Sequence, residues 1–126
     1  MKIVSTPDGP TPAGHYSQAV VYGGVVYVAG MFGKDPATPD TPLGGAGEQT
    51  RTALRNVSTV LEAAGSSLTS VIRMTVYVSD IDYWGEVNEA YAEVMGDHKP
   101  ARAIVPVKNF SDPYIVEIVA TAALGG

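Results

Sequence analysis

The stretch Tyr114-Ile-Val-Glu-Ile-Val-Ala-Thr-Ala-Ala-Leu124 decides the fold. Successive side chains of a β-strand point to opposite faces, so alternate positions of this stretch form two sets. One set is wholly apolar and comprises Val116, Ile118, Ala120, Ala122 and Leu124. The other set contains Glu117, a carboxylate in an otherwise apolar run. The stretch therefore predicts a strand with one core face and a second face that carries an isolated charge.

Other strands are indicated upstream. Ala19–Tyr22 and Val25–Ala29 flank a two-residue Gly-Gly link, which predicts a tight hairpin because glycine adopts positive φ angles readily. Ala101–Val107 is a further β-rich run. Val71–Val78 alternates strictly, and its expected core face consists of Ile72, Met74, Val76 and Val78.

Two segments have helical periodicity. Glu48–Ala64 carries an apolar stripe and is followed by Gly65, a typical residue after a helix end. A second helix is expected to begin near Asp80 or Asp82 and to run to about Met95. The order β-β-α-β-α-β-β predicts one α+β domain over residues 1–126, a single sheet with two helices on one face. The apolar side of the second helix is expected to comprise Trp84, Val87, Tyr91, Val94 and Met95.

Composition excludes several classes of function. The chain contains no cysteine, which excludes disulfides and thiolate chemistry and suits a reducing, cytoplasmic location. It has neither a signal-peptide core nor a run approaching the roughly 18 apolar residues of a membrane span. Eight basic against thirteen acidic residues give a net charge of −5 without a Lys/Arg cluster. We therefore expect neither a membrane nor a nucleic acid as partner.

The helix-free face of the predicted sheet has a mixed character. Strand alternation assigns to it Ile104, Ile115, Val119 and Tyr77 together with Glu117, Arg102, Arg73 and Thr75. This surface is too apolar to remain in water and too polar to be a plain core. We expect another copy of the chain to cover it, and interfaces of this kind often form small-molecule pockets.

Five collinear segments carry a resemblance to a known family. They are GHYSQAVVYGGVVYVAG (Gly14–Gly30), LEAAG (Leu61–Gly65), VNEAYAE (Val87–Glu93), KPARAIVPV (Lys99–Val107) and VEIVATA (Val116–Ala122). Together they resemble RidA/YjgF, the reactive intermediate deaminases. The resemblance implies a chorismate-mutase-like fold, a homotrimer with clefts between subunits, and hydrolysis of 2-imino acids and their enamine tautomers to 2-keto acids and ammonia. It implies a 2-iminobutanoate/2-iminopropanoate deaminase-like hydrolase that needs no metal and no cofactor.

The resemblance also assigns residues. The family's catalytic arginine, after a Pro-Ala pair, corresponds to Arg102, its carboxylate to Glu117, its cleft tyrosine to Tyr16 and its helix asparagine to Asn88. A guanidinium fork can bind an imino acid's carboxylate through two hydrogen bonds, and a partly desolvated carboxylate can direct and deprotonate water. The alternative for Glu117 is a structural ion pair with Arg102 or Arg73. The other positions expected to contact substrate are Gly30, Met31 and Ile104.

Three departures from the family pattern leave alternatives open. Many members have Ser-Gly-Gln where this chain has Ala29-Gly30-Met31, and a cysteine in place of Ile104. The site thereby loses a hydroxyl, an amide and a thiol and gains apolar surface. A non-catalytic trimer that binds keto acids or related carboxylates is therefore the second hypothesis. An endoribonuclease, an activity attributed to some relatives, is the weakest because the chain is acidic.

Overall fold

A computed structural model describes residues 1–125 and has the predicted α+β architecture, with one additional strand. The two helices are α1 (Ala46–Ala63) and α2 (Trp84–Met95). The strands are β1 (Lys2–Val4), β2 (Ala19–Tyr22), β3 (Val25–Phe32), β4 (Val71–Val78), β5 (Ala101–Pro106) and β6 (Val116–Ala123). They form one sheet in the order β1-β2-β3-β6-β4-β5, in which only β4 and β5 pair in parallel. Within residues 1–125, neither helix is long and apolar enough to cross a membrane.

Strand β6 lies at the centre of the sheet between β3 and β4. Its expected core positions from Val116 to Ala122 are buried against α1, and each buried valine or isoleucine contributes about 1.5–3 kcal/mol of transfer free energy. The prediction for Leu124 is wrong, because this residue follows the end of β6 and is 43% exposed. The buried side chain of Gln49 ties α1 to the start of this strand. Its Oε1 accepts from the Ile115 N–H at 3.0 Å, while its Nε2 donates to the carbonyls of Gly44 and Pro113.

Helix α2 is the crossover that parallel pairing of β4 and β5 requires. Asp80 caps the beginning of this connection, where its side chain accepts from the Asp82 N–H at 2.9 Å. The prediction that Asp80 or Asp82 caps the helix itself is wrong, because α2 begins after Tyr83 without a side-chain cap. A 3₁₀ turn at Ile81–Tyr83 then leads into the helix. Val87 and Tyr91 are buried as predicted, whereas the predictions for Trp84 and Val94 are wrong because both are exposed.

Strand β1 was not predicted. It pairs antiparallel with β2, and three residues are too few to display a period. The segment after it is held by buried Gln18, which accepts from the Thr6 N–H at 2.7 Å and donates to the carbonyls of Thr6 and Pro10. The amino-terminal segment is thereby fixed against the edge of the hairpin.

Strand β4 departs from strict alternation at its beginning. The register with β6 shifts between Val71 and Arg73, so that Val71 is only 2% exposed and Ile72 is 50% exposed. The prediction that Ile72 faces the core is therefore wrong, while Met74, Val76 and Val78 are buried as expected. An irregularity of this kind inserts one residue and reverses the faces before it.

Strand β5 presents the opposite faces to those expected. Arg102 is the register partner of Met74, and Ile104 is the partner of Val76. Partners in a ladder share a face, and Met74 and Val76 are buried on the helix side of the sheet. The placement of Arg102 and Ile104 on the helix-free face was therefore wrong. The residues that do share that face include Thr75, Tyr77, Glu117 and Val119.

We expect Gly33→Ala to destabilise the fold by about 1–3 kcal/mol or more, because there is no room for a methyl group. A Cβ at Gly33 would lie 2.5 Å from the Cα of Gln49 in α1, a backbone atom that cannot move independently. Urea unfolding measures the change. Gly85→Ala is the control, since its Cβ meets open space and alanine favours helix by up to about 1 kcal/mol. Equal urea midpoints of unfolding for both variants would contradict the close approach of Gly33 to the α1 backbone at Gln49.

Candidate functional site

Arg102 is held by side chains of α2. Its Nη1 donates to Oδ1 of Asn88 at 2.9 Å. The guanidinium carbon lies 4.8 Å from the ring centre of Tyr91 and 5.8 Å from that of Trp84. Positions 84, 88 and 91 fall on one side of a helix, so a single α-helical face supplies all three contacts. The guanidinium is thus oriented within one chain, and one hydrogen bond leaves most of its five donors available.

A cavity of about 390 Å³ borders Arg102 and lies between α2 and the segment that leads into β5. Asn88 and Tyr91 form part of its wall. The Tyr91 hydroxyl is buried without a hydrogen-bond partner among residues 1–125. Burial raises the pKa of Tyr91, and the positive charge of Arg102 partly opposes this shift. The ring of Tyr91 therefore supports the guanidinium while its hydroxyl remains neutral.

Glu117 lies on the opposite face of the sheet. It is half-buried, and burial raises the pKa of its carboxyl above the ordinary value of 4.5. The salt bridges formed in the described part of the chain involve other carboxylates, so the ion pair of Glu117 with Arg102 or Arg73 is not formed there. A partly desolvated carboxylate without a counter-ion holds a proton more tightly than a free one does, which suits a group that accepts and returns a proton.

The absence of a side chain at Gly30 makes room for this carboxylate. A Cβ at Gly30 would lie 2.5 Å from Oε2 and 2.8 Å from Cδ of Glu117. Gly30 belongs to the stretch between Val28 and Met31 where the register of β3 with β6 shifts. The register shift in β3 and the absence of a side chain at Gly30 together allow the β3 backbone to lie close to the Glu117 carboxylate.

Tyr16 and Met31 border a second depression, of about 290 Å³, which Gly30 also lines. Tyr16 is 51% exposed, and its hydroxyl accepts from the Ala13 N–H at 3.1 Å. Met31 is only 3% exposed, because as the register partner of Ile118 it points to the core side. Met31 therefore adds little exposed surface to the depression that it borders, and its expected contact with substrate stays a prediction.

The expected site residues thus form two half-sites. The first, the arginine half-site, consists of Arg102 and Asn88, with Ile104 further along β5. The second, the glutamate half-site, consists of Glu117, Gly30 and the neighbouring Tyr16. They lie on opposite faces of the sheet, and one chain does not bring them together. Within residues 1–125, no group of three or more His, Asp and Glu is placed to hold a metal ion.

Sequence reasoning missed the roles of Tyr91 and Trp84 beside Arg102. Both were assigned to the apolar stripe of α2. The signal that could have revealed them was the spacing of Trp84, Asn88 and Tyr91, which aligns two aromatic rings with the polar residue that contacts Arg102.

The fold and these half-sites define a member of a known family. The model of the Endoribonuclease L-PSP family matches residues 6–124, and the chain belongs to this family, which is also called RidA/YjgF. The predicted resemblance is confirmed. The rat protein named 2-iminobutanoate/2-iminopropanoate deaminase is 38% identical over 124 residues, which cover 98% of this chain and 90% of the rat protein.

Two solved structures extend the comparison. RidA from the Antarctic bacterium Psychrobacter sp. PAMC 21119 superposes with a TM-score of 0.91 at 31% identity, covering 98% of this chain and all of that one. TdcF from E. coli, solved with bound serine, gives a TM-score of 0.90 at 32% identity, covering 98% of each chain. The fold of this chain is therefore that of RidA proteins along nearly its whole length.

We expect Gly30→Ala to displace the Glu117 carboxylate without unfolding the protein. The added methyl would strike the far end of a flexible side chain, which can swing towards solvent. Relief of desolvation should lower the pKa of Glu117 towards its ordinary value, as a ¹³C NMR titration of the carboxyl would measure. Gly47→Ala is the control, since its nearest contact is 3.6 Å. An unchanged Glu117 titration in Gly30→Ala would contradict this geometry.

Proposed function

We propose that the chain is a cytoplasmic hydrolase that converts 2-imino acids, in equilibrium with enamines, to 2-keto acids and ammonia. The observation that carries the proposal is the pair of half-sites: an oriented guanidinium and an unpaired, partly desolvated carboxylate. Imine hydrolysis needs one group of each kind, the first to bind the carboxylate of the substrate and the second to activate water. The name of the rat relative supports the same reaction.

We propose a homotrimer in which the two half-sites meet between neighbouring copies. The helix-free face supports such an association, because the side chains of Tyr27, Tyr77 and Val119 are exposed or half-exposed there in the isolated chain. In a ring of identical subunits, the arginine half-site of one copy faces the glutamate half-site of the next copy. Ile104 and Tyr16 then form walls of the same cleft.

In the proposed mechanism, Arg102 binds the substrate carboxylate through two parallel hydrogen bonds and fixes the C=N carbon. The substrate reacts as the iminium, with a protonated nitrogen. Glu117 accepts a proton from a water molecule as the water oxygen bonds to the C=N carbon, and the C=N electron pair moves to the positively charged nitrogen. The product is a neutral carbinolamine. Glu117 then donates that proton to the amino nitrogen. The C–N bond breaks and ammonia leaves, as the hydroxyl becomes a carbonyl and its proton passes back to the Glu117 carboxylate, which releases it to solvent.

A non-catalytic carboxylate-binding trimer is the second candidate. The E. coli relative solved with bound serine favours it, since serine carries the same carboxylate that Arg102 is proposed to hold. The absence of family-typical hydroxyl and thiol groups at Ala29 and Ile104 also favours it. Saturable binding of 2-ketobutyrate that is lost in Arg102→Ala, without turnover of any imine, would select this candidate.

The family description also raises endoribonuclease activity. A net charge of −5 opposes the counter-ion release that supplies most of the affinity for an RNA backbone. RNA binding is therefore not part of the proposal.

We expect the purified protein to hydrolyse imines formed in place by an amino-acid oxidase, measured as loss of semicarbazone formation. Arg102→Lys should reduce kcat/KM by about 100-fold, because a lysine cannot form the two parallel hydrogen bonds. Glu117→Gln should reduce it by about 100- to 10,000-fold through loss of the proton acceptor. Hydrolysis at the buffer rate for Ala-, Leu-, Met- and Phe-derived imines would refute the enzyme proposal.

Mixing two inactive variants tests the shared cleft. When Arg102→Ala and Glu117→Ala are unfolded together and reassembled at equal amounts, about a quarter of the clefts receive both native groups by random assortment. We expect activity to return to about that fraction of the wild-type value. The control is each variant reassembled alone, which should stay inactive. Recovery absent from mixed but correctly assembled trimers would contradict a cleft built from two copies.

The pH dependence should report Glu117. Because burial raises the pKa of Glu117 and the ionised form accepts the proton, kcat/KM should fall with decreasing pH through an apparent pKa above 4.5. Stopped assays, corrected for the buffer rate at each pH, measure this limb. Gly30→Ala should move the limb to lower pH in parallel with the NMR titration, whereas Gly47→Ala should leave it in place.

A further inference from the structure

The cavity beside Arg102 has a charge opposite to that of the whole protein. The chain has a net charge of −5, yet this cavity is bordered by Lys99, His98 and Arg102 and by no aspartate or glutamate. By contrast, the cavity near the beginning of the two helices is bordered by Glu48, Glu86 and Glu89 with Arg51. The Arg102 cavity is therefore a local site for anions on an acidic protein.

The two cationic residues of this cavity, Lys99 and Arg102, lie on one short segment together with His98. His98 and Lys99 precede Pro100, and β5 begins at the next residue. The His98 ring is fixed because its Nε2 lies 2.8 Å from the carbonyl oxygen of Val71. Three extended residues span at most about 10–11 Å, and the Lys99 and Arg102 side chains border the same cavity.

A single carboxylate bound at Arg102 leaves the second cation of this cavity, Lys99, without a partner. In the proposed mechanism, the substrate carboxylate occupies the free donors of Arg102. Lys99 then remains as a second, unoccupied cation at the same cavity, and it forms no salt bridge among the residues that the structure describes. The cavity volume of about 390 Å³ exceeds the volume of a carboxylate alone. The ring of Tyr91 and the side chain of Met95 provide apolar walls against which a short aliphatic spacer can pack.

We propose that this cavity selects 2-imino acids whose side chain ends in a second carboxylate, with the first carboxylate on Arg102 and the second at Lys99. This inference rests on the proposed function for the Arg102 contact and adds the class of substrate. The attraction at Lys99 is strongest for a second carboxylate beside it, so it favours the doubly charged ligand. It adds to affinity without altering the reaction at the C=N carbon.

The test uses 2-oxoglutarate, a dicarboxylic 2-keto acid, and 2-oxohexanoate, which replaces the distal carboxylate with an ethyl end. By calorimetry at low ionic strength, we expect the wild-type protein to bind 2-oxoglutarate about two- to fivefold more tightly, the upper range of one exposed ion pair. Lys99→Met should abolish the preference, chiefly by weakening 2-oxoglutarate binding. The preference should also shrink with added salt.

Lys108→Met is the matched control, because Lys108 is exposed and does not border the cavity. It should retain the full preference. Equal affinity of the wild-type protein for both acids would overturn the proposal, as would a preference that persists in Lys99→Met or disappears in Lys108→Met.

Turnover of the glutamate-derived and norleucine-derived imines separates this inference from the proposed function. Turnover of both at equal kcat/KM, without any binding preference, would overturn the second-carboxylate site and leave the deaminase intact. A preference that depends on Lys99, found together with buffer-rate hydrolysis of both imines, would overturn the deaminase and support the second-carboxylate site on a binding protein.

Discussion

The two-residue period of β6 is the constraint on which the rest of the structure depends. Because β6 lies between β3 and β4, its register sets which side chains of both neighbours face the helices. A slip of one residue would drive Glu117 into the core beneath α1 and bring Ile118 out. Burying an unpaired carboxylate costs several kcal/mol more than a half-buried position does. The isolated charge in this apolar strand therefore helps to fix the register.

Most of the architecture could be predicted from local patterns. The hairpin around the Gly-Gly link, both helices and the faces of β6 follow from periodicity and from the residues that end each element. Strand β1 could not be predicted, because a three-residue strand forms only where β2 offers a partner. Ile72 points to solvent because the register of β4 with β6 shifts beside it. The alternation of apolar residues in β4 alone does not predict this shift.

The site could be predicted only as a set of residues. Arg102, Asn88 and Glu117 were identified through a family resemblance, but their arrangement was not. The β5 sequence is apolar on both faces apart from Arg102, so its composition does not choose the side on which the guanidinium lies. Pairing with β4 makes that choice, and it places Arg102 against the aromatic rings of α2. The two half-sites follow from pairing between strands, which one-dimensional patterns do not contain.

The two ends of the sheet limit how copies of this chain can associate. One outermost strand, β1, has only three residues, and the other, β5, ends at Pro106, which lacks a backbone N–H. Neither border offers a long row of free donors and acceptors to an incoming strand. Pairing of an edge strand with an edge strand of another copy could continue without limit and form fibres. The short or proline-ended edges therefore disfavour it relative to contact through the helix-free face. The partly apolar helix-free face can in this way be covered by another copy without opening the sheet to endless growth at its borders.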